Sequence, residues 1–323
     1  MGFLRRKGKS LPMASVSAVD PGVVPVTFTR LAVVQDALRE LYRALSPARI
    51  RTYTAAIAPV VTAWTEPVID AQRLARAIAL HLGMTDVRLI VSFQELGETG
   101  DGGYHAGNVE LGPGPEYFIT LSPRFRDDVR GAAAVLAHEV MHVFLHRNRI
   151  WWKDQDRNEI LTDTAMVYLG TGWLMLDAHR VEGAGQSFGY LSPAELGYVL
   201  AKRALAFDED IERYLADNPA ARQAYRAGRR RAAQDHEGAP LSGCQRDAHR
   251  QYLADRRRAA HLATPSALSG PALPFDGGYR FEGHAPMKVV FGCPTCHQRI
   301  RVPVDRTATV RCATCRSTHA VTT

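Results

Sequence analysis

The run His138-Glu139-Val140-Met141-His142 sets two imidazoles four residues apart, with a carboxylate beside the first. On a helix, that spacing puts both rings on one face. Two imidazole nitrogens so placed can each come to about 2.0–2.1 Å from one Zn²⁺. Glu139 would then stand next to the open coordination position. A carboxylate there can take a proton from an attacking water and pass it to a leaving amine. The flanking residues Ala132 to Ala137 and Val143-Phe144-Leu145 are apolar and suit a helix, and Asp127 and Asp128 suit its N-terminus. Unpartnered histidines on such a mostly buried helix would be costly, and a metal ion would satisfy them.

Two histidines leave a third ligand to be found. His146 lies on the same face, but eight residues of helix rise about 12 Å, too far for two bonds of about 2 Å each. His146 reads instead as a helix-end histidine near the negative pole of the dipole. The longer zinc pattern with a Gly and a third His further along also fails, because Leu145 and Asn148 occupy those places. A better candidate segment is Asn158-Glu159-Ile160-Leu161-Thr162-Asp163. Its two acids are again four apart on an expected helix, with Ala165, Met166, Val167 and Leu169 on the apolar side and Gly170 as a C-terminal stop.

With both segments in view, the chain resembles the gluzincin metallopeptidases, which carry HExxH on one helix and Asn-Glu-x-x-Ser/Thr-Asp on the next. The resemblance implies that Glu159 completes a catalytic zinc site with His138 and His142, and that Glu139 is the general base. It also implies that Asp163 orients a ligand histidine, a role with its own physical reason. The likeness spans roughly residues 85–180, and it is closest to compact intracellular zinc peptidases of the ImmA/IrrE type. That implies a specific regulatory protein as substrate, such as a helix-turn-helix repressor. Such cores place a strand antiparallel to the substrate ahead of the active-site helix. Tyr117-Phe118-Ile119-Thr120-Leu121, after the turn Gly112-Pro113-Gly114-Pro115, is the strand expected to offer its edge. An oxyanion donor is also needed. Tyr168, His179, Tyr190 and Tyr198 are candidates among which the sequence does not choose. His105, in the glycine-rich turn 99–108, is a candidate on the substrate side.

The second cluster is at the other end. Cys293-x-x-Cys296 and Cys312-x-x-Cys315, fifteen residues apart, have the spacing of a four-thiolate structural zinc site. Ile300–Val304 and Thr309–Arg311 between them read as short strands, giving a zinc ribbon expected to fold as a module of its own. Arg299, Arg301, Arg306, Arg311 and Arg316 make it basic, which leaves room for nucleic acid. The fifth cysteine, Cys244, sits in a Gly/Pro-bounded loop. If that loop folded over the cleft, its thiolate would compete for the catalytic zinc and restrain the enzyme.

The elements that must position these groups give an α+β chain. Residues 1–25 read as a disordered basic tail, lacking the apolar core of an export signal. Residues 26–190 hold a minimal zincin core. Its helices are expected at Leu31–Leu45 and Leu74–Leu82, with a strand at Val87–Phe93. Residues 191–261 form an Arg-rich helical extension, opened by Ser192-Pro193-Ala194-Glu195 as a capping box. Residues 262–286 read as a linker and 287–323 as the ribbon. No stretch of the 323 residues is a membrane span, and the expected location is the cytoplasm. The net charge of +7 and the arginine runs sustain one competing reading, a non-catalytic nucleic-acid-binding or sensor protein on a zincin scaffold.

Overall fold

Alternating apolar residues build the first sheet. Leu89, Val91 and Phe93 point inward from β1 (Arg88–Phe93), as do Tyr117, Ile119 and Leu121 from β3 (Glu116–Leu121). β2 (Gly107–Glu110) completes it, in the order β1-β3-β2, with β1 parallel and β2 antiparallel to β3. The computed structural model describes residues 26–53, 64–97, 105–179, 189–262, 273–274, 277–283 and 285–323. The expected N-terminal tail and much of the expected linker therefore lie outside the described residues.

The strand expected at the substrate edge is corrected here. β3 is paired on both sides, so Tyr117–Leu121 is the central strand. Among the described residues, the unpaired edge belongs to β2, drawn from the end of a segment whose glycines read as a turn. On the far side, Gln72 of α3 (Pro67–His81) closes the β1 edge. Its side-chain amide donates to the Leu89 carbonyl and accepts the Val91 N–H at 2.9 Å.

The inner face of the sheet packs on α3 and on α4 (Val129–Arg147), which carries the HExxH run. Asp128 caps α4, accepting the Gly131 N–H at 3.1 Å. α5 (Gln155–Tyr168) crosses behind it, capped by Asp154 through the Arg157 N–H at 2.9 Å. α1 (Leu31–Ala44) packs along α5, with α2 (Pro47–Thr52) after it and α6 (Trp173–Ala178) against α4. α7 (Pro193–Phe207) opens on the expected capping box of Ser192 and Glu195 and also packs on α5. Its Arg203, only 1% exposed, donates to the Tyr168 carbonyl at the end of α5 and to the Tyr53 carbonyl at 2.7 Å.

α8 (Pro219–Gln234) meets α7 at Gly197 and Gly228. A Cβ on Gly228 would fall 2.1 Å from Gly197 backbone, so only glycine permits that approach. α9 (Arg246–Leu262) lays Tyr252 against Tyr279 and Phe281, with ring centroids 5.0 and 5.5 Å away. Those two aromatics lie on β5 (Tyr279–Glu282), inside the stretch expected to be linker. β4 (Leu273–Pro274), β5, β6 (Lys288–Gly292) and β7 (Arg299–Pro303) form one antiparallel sheet, and β8 (Thr307–Arg311) pairs with β9 (Thr318–Thr322). The ribbon thus begins earlier than composition implies, because α9 supplies an apolar face for β5. Among the described residues, no helix is long and apolar enough to cross a membrane.

Candidate metal centres

α4 and α5 cross so that His138, His142 and Glu159 turn toward one point. The two Nε2 atoms are 3.0 Å apart, and Glu159 Oε2 lies 3.3 Å from His138 Nε2 and 3.2 Å from His142 Nε2. Donor atoms bound tetrahedrally at about 2.0–2.1 Å are about 3.3 Å from one another. The triangle therefore fits a single small cation with one position left open.

The far side of each ring is anchored. His138 Nδ1 is 2.8 Å from Asp163 Oδ1, so that in the neutral ring a metal would bind, Nε2 is the lone-pair donor facing the centre. Asp163 is fully buried, and its Oδ2 accepts the backbone N–H groups of Tyr190 at 2.6 Å and Leu191 at 3.2 Å. Thr162 does the same for the second ring. Its hydroxyl donates to the Asn158 carbonyl at 3.0 Å and sits 3.3 Å from His142 Nδ1, which it can accept. Asn158 Oδ1 in turn holds the Trp152 N–H at 2.9 Å. Thr162 and Asn158 were legible only as letters of the motif, with no role attached to them. Burial works against a charged His138, yet Asp163 and Glu159 outweigh it and hold its pKa well above the usual histidine value. Glu159 is also desolvated, but the two histidines hold its carboxyl well below the usual range.

Glu139 is outside the triangle and buried beside it. Desolvation raises its pKa, against the opposing pull of His138 and His142. β2 passes close over it. A Cβ on Gly107 would meet Val135 Cγ1 at 2.5 Å and Glu139 Oε1 at 3.1 Å, so this edge strand can descend to the carboxylate only because residue 107 is glycine. The field of His105 also reaches Glu139, which places that histidine on the same side.

The four oxyanion candidates separate clearly. Tyr168 OH is engaged with Tyr42 OH at 2.7 Å, and Tyr198 OH with Asp235 at 2.7 Å. His179 is half-buried, and desolvation pushes its pKa down to about 4. Tyr190 is only half-buried, and its phenol lies in the field of Glu159, Asp163 and Glu139. Burial first and those carboxylates second raise its pKa, so it stays a proton donor at neutral pH. His146 takes no part in the triangle and bonds the Gly112 carbonyl at 3.1 Å, tying α4 to the turn before β3.

Cys293, Cys296, Cys312 and Cys315 form the second cluster. The Cys293–Cys315 and Cys296–Cys312 sulfurs are each 3.6 Å apart, far beyond a disulfide bond of about 2.05 Å. Four sulfurs held tetrahedrally at about 2.3 Å would be about 3.8 Å apart, so this set also fits one zinc, with no open position. The two knuckles repeat one geometry. The His297 N–H returns to the Cys293 carbonyl at 2.9 Å and the Arg316 N–H to the Cys312 carbonyl at 3.1 Å, both residues at positive φ. Ser317 and His319 lie against the sulfurs, the hydroxyl 2.9 Å from Cys315 Sγ and His319 Nε2 3.3 Å from Cys293 Sγ.

Cys244 joins neither cluster. Its loop is held by the ribbon: Leu241 bridges to Val321, and the Ser242 N–H donates to the Ala320 carbonyl at 3.1 Å. The structure lends the inhibitory thiolate no support, since Cys244 is outside the triangle and backbone pairing keeps its loop against β9. The Arg-rich extension is also less bare than its sequence suggests. Arg226 and Arg229 face Glu212, Arg231 faces Asp235, Arg256 faces Asp305 and Arg258 faces Asp255.

No protein-family model, curated protein or solved structure matches this chain. What can be said of its activity rests on its own residues.

Proposed function

We propose that this chain is a zinc-dependent endopeptidase of the gluzincin kind, cleaving a specific regulatory protein. The observation that carries the reading is the pairing of an open three-donor triangle with a buried carboxylate directly under a strand edge that is unpaired among the described residues. Zinc held by His138, His142 and Glu159 would polarise the scissile carbonyl and acidify the attacking water. Glu139, its pKa raised by burial, is suited to take that water's proton and return it to the leaving amine. Tyr190 is the donor best placed to steady the oxyanion.

The strand edge supplies the substrate's place. The Ser122 N–H donates to the Ala106 carbonyl at 3.0 Å, so by ladder alternation Ala106, Asn108 and Glu110 turn their backbone groups toward β3. Gly107 and Val109 then direct theirs outward, where an extended peptide can add as a further strand. Gln72 closes the opposite edge to the same pairing. A substrate recognised along its backbone must present an extended segment, which fits a mobile stretch of a regulatory protein such as a repressor.

The test uses a library of extended peptides and partner proteins with the wild type and Glu139→Gln. Cleavage by the wild type alone, with equal zinc in both, is the expected result. Cleavage that persists in Glu139→Gln, or zinc lost with that change, would refute the reading.

A further inference from the structure

We propose that the four-cysteine centre is a clamp on α5, so that metal in the ribbon sets how tightly the His138/His142/Glu159 centre holds its own. The proposal rests on reading that triangle as a metal site. It replaces the expectation of an independent ribbon with a mechanical link.

The link begins in the first knuckle. His297 follows Cys296 and is held at φ 58° by the return of its N–H to Cys293. In that conformation its carbonyl accepts Arg39 Nε at 3.0 Å, and its Nε2 meets Tyr198 OH at 3.2 Å. Gln298 donates to the Arg39 carbonyl at 3.0 Å. Lys202, 2% exposed, donates to the carbonyl of Pro294 within the knuckle and to Asp235 at 2.9 Å. The knuckle is therefore keyed into α1 through Arg39 and into α7 through Tyr198 and Lys202.

Those same helices hold α5 at both ends. Asp36 of α1 bonds Arg39 on one side and Arg157 of α5 at 3.0 Å on the other, two residues before Glu159. Tyr42 of α1 meets Tyr168 at the other end of α5, where Arg203 of α7 grips the Tyr168 carbonyl. The path from cysteine cluster to ligand helix is thus a run of hydrogen bonds and packed helices, solvent-exposed at the Asp36–Arg157 pair and buried at Tyr42–Tyr168 and Arg203.

The knuckle is a discrete element with two states, because small cysteine modules fold with their metal. A zinc with four thiolates carries net negative charge, and Lys202 is the buried cation set against it. When the knuckle loosens, Lys202 loses the Pro294 carbonyl and keeps Asp235 and the Tyr198 ring. A buried charge left short of partners is strongly unfavourable, so relaxation must spread into α7 and α8. α5 then loses its supports on α1 and α7, and Glu159 and Asp163 move with it.

The experiment measures zinc content and zinc affinity of the full chain by competition with a chromophoric chelator. Cys312→Ser/Cys315→Ser should empty the ribbon and weaken the His/Glu centre by at least about tenfold, the lower end of what lost outer contacts cost a metal site. Helix content by circular dichroism should stay near that of the wild type. Arg39→Ala/Tyr42→Phe leaves all four cysteines in place, and should keep ribbon zinc while weakening the His/Glu centre several-fold. Unchanged affinity at the His/Glu centre in both variants overturns the clamp. If the cysteine variant does not fold, the Arg39/Tyr42 variant decides alone, and unchanged affinity there overturns it. A wild type that holds zinc only on its cysteines would overturn the peptidase reading and the clamp with it.

Discussion

The two clusters draw on similar metal chemistry and are built in opposite ways. Around the cysteines the ligands come from two β-turn knuckles, each fixed by its own backbone bonds within six residues, as in Cys293 N–H to the Gln298 carbonyl at 2.8 Å. Around the histidines the ligands come from two long helices, and each ring is held by a side chain of the other helix, Asp163 or Thr162. The cysteine set is complete with four donors and the histidine set stops at three. A closed set can fold a module, whereas an open set leaves a place for water or a carbonyl. The difference also decides what each site depends on. The knuckles need little beyond themselves to bring their sulfurs together, but the triangle exists only while α4 and α5 keep their crossing.

The sharpest way to break this contrast is to remove the shared helical ligand. Glu159→Ala should abolish zinc at the triangle while the ribbon keeps its own, so elemental analysis falls from two zinc ions per chain to one. Two ions retained would mean that Glu159 is not a ligand. Next in size is Asp163→Asn, which swaps a charged acceptor for a neutral group that must also face the N–H groups of Tyr190 and Leu191. Zinc affinity at the triangle should drop by about 10–100-fold, the range for lost outer hydrogen bonds, while the ribbon still carries its zinc. Thr162→Val removes a longer, neutral contact to the other ring. Its effect on the same chelator competition should be smaller than that of Asp163→Asn, and an equal or larger loss would show that the two anchors are not ranked by charge and distance. Last comes Cys244→Ser, for which basal cleavage should be unchanged, because the loop is paired to β9. A rise in activity would restore the inhibitory thiolate.

What could be read in advance follows the same division. CxxC pairs are local in sequence, so the ribbon's ligands were visible from spacing alone. The helices at Leu31–Ala44 and Val129–Arg147 were visible from periodicity and caps. Glu159 and Asp163 were assigned through resemblance, because nothing in the sixteen residues between His142 and Glu159 says that α5 must cross α4. The edge strand was missed: Gly107-Asn108-Val109-Glu110 is four residues long, and its one apolar side chain gives no alternation to detect. β5 was missed because its apolar partner is Tyr252 on α9, remote in sequence. Nothing in the sequence marks Lys202 and Arg203 as buried, yet both are, since their partners come from the ribbon, α5 and the residues after α7.

Gln72 carries a consequence for the company this molecule keeps with itself. An unprotected strand edge recruits other strands, and a sheet with two such edges can be extended from either side without limit. By giving up one glutamine amide to the Leu89 carbonyl and the Val91 N–H, the chain makes its small sheet one-sided. Two copies meeting at β2 would exhaust each other's pairing and stop at a pair, with no unpaired edge left in this sheet among the described residues.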